Sequence, residues 1–423
     1  MDSKFRLVLN LYLITFVLAL VATRVYTIPI DNGQAVMGID ADGSGSGSGT
    51  GNSTSNGMAN TDANGGDDDA DAGTDTGTGS MSGSGSAAIG KSNSFAGTNN
   101  YFAYALPDQD RHTLLDAMKA ADMKVLRTWV SGQDAGQKKS NSIAVPDLEH
   151  EGLGQYDDKI LTLIDQLMVD AHERGIKLLI GMYDQNSLIK RKDDVYAQKY
   201  GSDGLKFYTD SEAISHFNNR ITYILTQHKN ALLGNKPWSE LGNYIFGYEA
   251  QNEPMVFNQD FYKQHLSWIC TTAAMIRKNV EDKNQLIFTG GGSAAASVQP
   301  DFFKPSCSGI DVVAIHDYND DYDKFMDDAV SQAKAAGKKL LIEEWGSKAG
   351  DGQAANLNAN IQKINKYKVP WLYWQLISNP DPGEGEDFEI QVNGKNWDPL
   401  AKGAKDTAAL DDAPFDFSAA LTL

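Results

Sequence analysis

Short apolar runs rich in β-branched and aromatic residues recur along the chain from residue 95 onward. There are eight: Phe95–Tyr104, Val125–Val130, Lys177–Tyr183, Tyr244–Gln251, Gln285–Thr289, Val312–Ile315, Leu340–Ile342 and Trp371–Leu376. Stretches of helical periodicity fill most of the intervals, at Asp108–Met123, Asp157–Arg174, Ser211–His228, Asp260–Val280 and Tyr322–Ala336. Two of these helices stop at a glycine, Gly175 and Gly337, which ends a helix in the left-handed region at no side-chain cost. The runs are apolar almost throughout rather than alternating, as parallel strands buried on both faces require. Eight such β–α units predict a (β/α)8 TIM barrel, an α/β fold. The rival is an open doubly wound sheet. It would carry a Gly-rich phosphate turn after its first strand, and Gly97-Thr98-Asn99-Asn100 is not one. Gly290-Gly291-Gly292, after the fifth run, reads as a tight turn.

The pattern is absent before residue 91. From Asp31 to Ala88 the chain is nearly all Gly, Ser, Thr, Asp, Asn and Ala, with no Lys, Arg or aromatic residue. Such a composition cannot bury enough apolar surface to offset the entropy of ordering it, so it predicts a disordered linker. Asp67-Asp68-Asp69 lacks the spacing and terminal Glu of an EF-hand calcium loop. Ahead of the linker, Lys4 and Arg6 precede an apolar run from Leu7 to about Ala22. That run is short for a membrane span, which needs about 20 residues, and suits a secretory signal. The expected organisation is a signal peptide or signal anchor over 1–27, a linker over 28–90 and a barrel domain over 91–423. A cleaved signal would make the protein secreted; an uncleaved one would make the linker a stalk tethered to a membrane. Asn52-Ser53-Thr54, in the linker, is the one N-glycosylation sequon.

Charge and cysteine content narrow the partners. The formal net charge is −19, which argues against a nucleic-acid partner and disfavours an anionic polymer. A neutral substrate fits better. Cys270 and Cys307 are the two cysteines and could pair in an oxidising compartment, but sequence does not fix their distance. No Cys-based metal cluster and no metal-like His spacing is present, so no metal is expected.

In a TIM barrel the site forms where the strands end. The ends here carry Asn99, Asn100 and Tyr101; Arg127 and Trp129; Tyr183 and Asp184; Asn252 and Glu253; His316 and Tyr318; Glu343 and Glu344; and Trp374. Aromatic rings stack on sugar faces, while amides, Arg and carboxylates bond hydroxyls, so this set predicts a carbohydrate cleft. Two carboxyls at the fourth and seventh strand ends supply the acid and the nucleophile of a retaining glycoside hydrolysis.

The motifs also resemble a known family. Tyr-Glu-Ala-Gln-Asn-Glu-Pro at 248–254 resembles the Asn-Glu-Pro acid/base signature of glycoside hydrolase family 5, and Ile-Glu-Glu-Trp-Gly at 342–346 its nucleophile segment. Leu-Arg-Thr-Trp at 126–129, His316-Asp317-Tyr318 and Trp374 are similar to its other strand-end motifs. The resemblance covers about residues 94–400 and implies Glu253 as acid/base and Glu344, rather than Glu343, as nucleophile. It implies that Arg127 and Tyr318 keep Glu344 ionised, that Asn252 bonds the sugar 2-hydroxyl, and that His316 positions the acid/base. Trp374 would form the floor of the cleavage subsite, and Trp129 is a further substrate-binding candidate. Among substrates the resemblance points to the fungal β-mannanase branch, hence β-1,4-mannan, although Tyr-Glu-Ala-Gln departs from the Trp-Glu-Leu-Ala of many members. A β-glucanase or cellulase of the same family is the alternative, and a catalytically inactive glycan-binding barrel is the alternative of another class. The Gly-, Asp-, Pro- and Glu-rich segment 378–397 is expected to lie over the cleft, leaving endo or exo attack open. No cofactor is implied, because two carboxyls suffice. Glu249 and Gln251 share strand parity with Glu253 and would face the barrel, with no role assigned.

Overall fold

The computed structural model describes residues 94–280, 282–378 and 388–423. The expected signal, linker and sequon lie outside the described residues. Eight parallel strands close into one barrel: β1 (Ala96–Asn99), β2 (Val125–Trp129), β3 (Lys177–Gly181), β4 (Ile245–Glu249), β5 (Leu286–Phe288), β6 (Val312–His316), β7 (Lys339–Trp345) and β8 (Trp371–Tyr373). Each pairs with its neighbours in chain order, and β8 closes on β1. Nearly every strand residue is buried, which is why the runs carry no polar alternation.

The expected runs overshoot at both ends of the barrel. The first strand stops at Asn99 and a 3-10 turn, Ala103–Ala105, follows, because the Asn100 side chain accepts from the Phe102 N–H and turns the chain. The last strand stops at Tyr373, and Leu376–Ile377 leaves the barrel to pair with Ile390–Gln391. Two expected helices are broken. Asp260–Val280 divides at His265 into Gln259–Gln264 and Leu266–Asn279, and the Tyr322–Ala336 stretch begins as a 3-10 turn before the helix Met326–Ala335. Ser211–Thr222 runs on into one wide turn at Tyr223–Gln227. Gly175 and Gly337 end their helices at φ 77° and 66°.

Two devices brace the barrel. Cys270 on helix Leu266–Asn279 is bonded to Cys307 in the turn Pro305–Cys307. Arg220 is completely buried and pairs with Asp147 at 2.7 Å and Glu149 at 3.2 Å, tying the long connection after β2 to helix Ser211–Thr222. No helix among the described residues is long and apolar enough to cross a membrane.

Candidate active site

The strand ends bring six titratable side chains into one buried cluster: Arg127, Glu249, Glu253, His316, Glu343 and Glu344. Arg127, on β2, organises it. Its Nη1 donates to Glu344 Oε1 at 2.5 Å and to Asn99 Oδ1 at 3.0 Å, and its Nη2 donates to Glu249 Oε1 at 2.7 Å and to Asn252 Oδ1 at 2.8 Å. One planar guanidinium with five donors thereby fixes groups from β1, β4 and β7 together.

Glu344 accepts a second bond from the Tyr318 hydroxyl at 2.8 Å. Tyr318 is held in turn by the Phe388 ring, centroid 4.8 Å away. Phe388 sits where a Cβ on Gly346 would be, at 2.8 Å, so the glycine of the Glu-Glu-Trp-Gly segment makes room for it. Of the segment 378–397 expected over the cleft, Ser378 and residues 388–397 are described.

Glu253 lies beyond the end of β4 in a left-handed conformation, φ 50°, with its N–H bonded to Gly290 O at 2.8 Å. That conformation costs a non-glycine residue on the order of 1 kcal/mol and is concentrated at functional sites. Pro254 disfavours the right-handed helical region for the residue before it. Asn252 is clamped from both sides: its Oδ1 accepts from Arg127 and its Nδ2 donates to Asp184 Oδ1 at 3.0 Å. His316 bonds Glu253 Oε1 through Nδ1 and Glu343 Oε2 through Nε2, both at 3.0 Å. Glu253, His316 and Glu344 turn one atom each to within 4.8 Å of one another. A cation there would need a lone pair from His316, but both ring nitrogens face carboxylates and so act as donors.

Beside the carboxyls stand three aromatic rings. Tyr101, Trp129 and Trp374 lie nearly parallel, with centroids 5.4 Å, 5.5 Å and 5.9 Å apart. The indole N–H groups of Trp129 and Trp374 are buried with no acceptor among the described residues.

The model of a family described as cellulase, glycosyl hydrolase family 5, matches residues 84–380. The chain belongs to glycoside hydrolase family 5. Among relatives of this family 5 chain, mannan endo-1,4-beta-mannosidase F of Aspergillus fumigatus is 24% identical over 351 residues, covering 73% of each protein. Mannan endo-1,4-beta-mannosidase A of Podospora anserina is 25% identical over 290 residues, 61% of this chain and 70% of that one. Among solved structures, the endo-beta-1,4-mannanase of Thermotoga petrophila matches with a TM-score of 0.57 at 18% identity, covering 76% of this chain and 78% of that one. At that identity the likeness is one of fold.

Of the eight residues expected at the site of this family 5 barrel, Arg127, Glu253, His316 and Glu344 form part of the cluster, Asn252 and Tyr318 bond to it, and Trp129 and Trp374 stand in the aromatic wall. Glu249 and Glu343 were given no role by sequence, yet both are fully buried within the cluster. Glu249 follows from strand parity. Glu343 does not, because strict alternation would turn either Glu343 or Glu344 outward. The register between β6 and β7 slips here: Ile315 opposes Ile342, but His316 opposes Glu344. This bulge adds one residue to β7 and lets two consecutive glutamates face inward. The three glycines at 290–292 are also more than a turn. A Cβ on Gly290 would strike Gln251 O at 2.0 Å, and one on Gly291 would meet His316 Nε2 at 2.1 Å.

The cluster's charges set its protonation. Burial alone would lower the His316 pKa, but the negative charges of Glu344, Glu253 and Glu343 outweigh it and push it up to about 10. His316 is therefore an imidazolium near neutral pH. Burial raises Glu253, yet His316 holds it below its ordinary value. Burial leaves Glu344 raised despite His316 and Arg127, with repulsion from Glu253 adding to it. Two carboxyls this close titrate as a pair, so the proton they contend for belongs to both.

Proposed function

We propose that this chain hydrolyses β-1,4-mannan with retention of configuration, using Glu253 as general acid and then base and Glu344 as nucleophile. The observation that carries the reading is the spacing of the two carboxyls, whose facing atoms lie within 4.8 Å. Retaining enzymes hold their carboxyls about 5 to 5.5 Å apart, whereas inverting ones leave about 6.5 to 9.5 Å for a water. Cleavage needs the charge on Glu344 and the proton on Glu253. Arg127 and Tyr318 both donate to Glu344, which supports its ionised form. A glycosidic oxygen arriving at Glu253 takes the proton as the Glu344 carboxylate attacks the anomeric carbon. The glycosyl ester that forms on Glu344 is then opened by a water that Glu253, now a base, deprotonates.

Asn252, clamped between Arg127 and Asp184, keeps one amide hydrogen to offer a sugar hydroxyl. The stacked Tyr101, Trp129 and Trp374 rings suit a pyranose face, and their unpartnered indole N–H groups suit its hydroxyls. The choice of mannan rests on the relatives named as mannan endo-1,4-beta-mannosidases. The positively charged start and apolar run at the N-terminus support export, and the Cys270–Cys307 bond fits an oxidising compartment.

The test is to incubate the enzyme and its Glu344→Ala variant with linear mannan, glucomannan, carboxymethyl cellulose and β-1,3-glucan. Reducing ends and the anomeric form of the first product are then followed by NMR. Mannan cleavage that yields the β-anomer first and vanishes in the variant is the expected result. Release from glucans alone would replace the substrate, and an α-anomer first would replace the mechanism.

A further inference from the structure

We infer that Glu249 and Glu343 share one retained proton and act as a single monoanion that keeps His316 charged beside Glu253. The two side chains are completely buried, and each has one oxygen spoken for by a cation. Glu249 Oε1 accepts from Arg127 Nε at 3.2 Å and Nη2 at 2.7 Å. Glu343 Oε2 accepts from His316 Nε2 at 3.0 Å, with Arg127 Nη2 at 3.5 Å. The two remaining oxygens, Glu249 Oε2 and Glu343 Oε1, are buried and have no N–H or O–H donor among the described residues. The two carboxyl groups meet at one guanidinium nitrogen, Arg127 Nη2, which lies 2.7 Å from Glu249 Oε1 and 3.5 Å from Glu343 Oε2. A proton shared between them supplies the donor that neither remaining oxygen finds among the described side chains around it. Left fully ionised, they would be two like charges in a buried site, each short of a protein donor.

Charge balance leads to the same place. Arg127 and a protonated His316 supply two positive charges against four buried carboxyls. With one proton held by Glu249 and Glu343, and one more held by the Glu253 and Glu344 pair, the cluster is neutral. Burial drives Glu249 well above its ordinary value against the pull of Arg127, while Arg127 and His316 overcome burial and keep Glu343 low. The shared proton therefore stays on the Glu249 side, and the charge faces His316.

These two are positioning residues, because they reach Glu253 only through the imidazole. The groups that face the relay are Arg127 on β2, Glu249 on β4, His316 on β6 and Glu344 on β7. Tyr318 lies over Glu344, and Asp184 and Lys190 act on Glu253 through space.

The proton itself is tested without turnover. Infrared difference spectra near neutral pH would compare Glu253→Gln with Glu253→Gln/Glu249→Gln. The first is expected to carry the band of a buried protonated carboxyl, and the second to lack it, because a Gln amide donates to Glu343 in place of the shared proton. Should that double variant not fold, Glu253→Gln/Glu343→Gln serves, and its band is also expected to be gone. Identical spectra would overturn the shared proton.

The link to Glu253 rests on its reading as the acid, and is tested by the alkaline limb of kcat/KM on mannan. Glu249→Gln should leave the limb in place, whatever its rate. Glu343→Gln, which strips the anion from His316, should move it up by about 0.5 to 1 pH unit, since Glu253 loses its cationic neighbour. Equal movement in both variants, or in neither, would overturn the link. The infrared comparison remains readable in an inactive protein, so failure of the acid assignment is not mistaken for failure of the shared proton.

Discussion

Gly291 lies directly against the imidazole of His316, so close that a Cβ there would fall 2.1 Å from Nε2 and 2.3 Å from Cδ2. The glycine is a shelf that fixes the ring between Glu253 and Glu343. Gly291→Ala should displace the ring and lower kcat by roughly 100-fold, the cost of misplacing a catalytic contact by about an ångström. Gly337→Ala is the matched control. Gly337 has a similar positive φ of 66°, but a Cβ there would meet nothing within 4 Å. It should destabilise by about 1 kcal/mol and leave kcat alone. Thermal melts and steady-state kinetics on both variants check the contrast; equal kinetic losses would remove His316 from the explanation.

Tyr318→Phe keeps the ring that Phe388 supports and deletes the hydroxyl that donates to Glu344. A bond to a carboxylate favours its charged form, so its loss raises the Glu344 pKa. The acid limb of the pH–rate profile reports protonation of the nucleophile and should move to higher pH. At the optimum kcat/KM should fall about 10- to 100-fold, matching the roughly 1.5–3 kcal/mol of a hydrogen bond to a charged group. A limb that stays put would mean that Glu344 is not the group whose protonation ends activity.

How much of this was legible beforehand depends on what each residue's visibility rests on. The barrel was readable because each strand is a compact apolar run and most helices carry a 3.6-residue period. Glu253 and Glu344 were readable because they sit where those runs end. Glu249 was half readable, by parity alone. Glu343 was hidden by the bulge in β7: a register slip is a property of two paired strands, and one strand's pattern does not contain it. The role of Gly290 and Gly291 was hidden for a related reason, because their neighbours Gln251 and His316 are distant in sequence. The breaks at His265 and Phe325 escaped detection because the apolar period continues across them.

The Cys270–Cys307 bond closes a loop with a sequence separation of 37. By chain entropy a loop of that length stabilises the fold by roughly 4 kcal/mol, as an upper bound where strain intervenes. Guanidinium unfolding with and without reductant, and of the Cys270→Ala/Cys307→Ala variant, measures it. The midpoint should fall in both cases by the same amount. A reductant effect that persists in the double variant would show that something other than this bond is responding.

Arg220 offers the sharpest test of what holds the loops above the barrel. Its guanidinium is wholly buried, bonds Asp147 and Glu149, donates to the carbonyls of Met182 and Val130, and lies 5.2 Å over the Tyr183 ring. Arg220→Met fills the volume but strands two carboxylates, which should cost about 3–5 kcal/mol. The pH dependence separates this from lost packing. In the wild type, burial raises Asp147 but Arg220 overcomes it and lowers the pKa. A lowered folded pKa gives stability that is present above the ordinary Asp value of about 4 and lost as pH falls through the folded one. Without Arg220 only the backbone N–H groups of Glu149 and Gly132 oppose burial, and the folded pKa rises. The sign then reverses: the folded state binds more protons than the unfolded one, and stability increases as pH drops from 7 toward about 5. Urea unfolding at pH 7 and pH 5 should therefore narrow the gap between variant and wild type at the lower pH. A gap that is the same at both would assign the loss to packing and not to stranded charge.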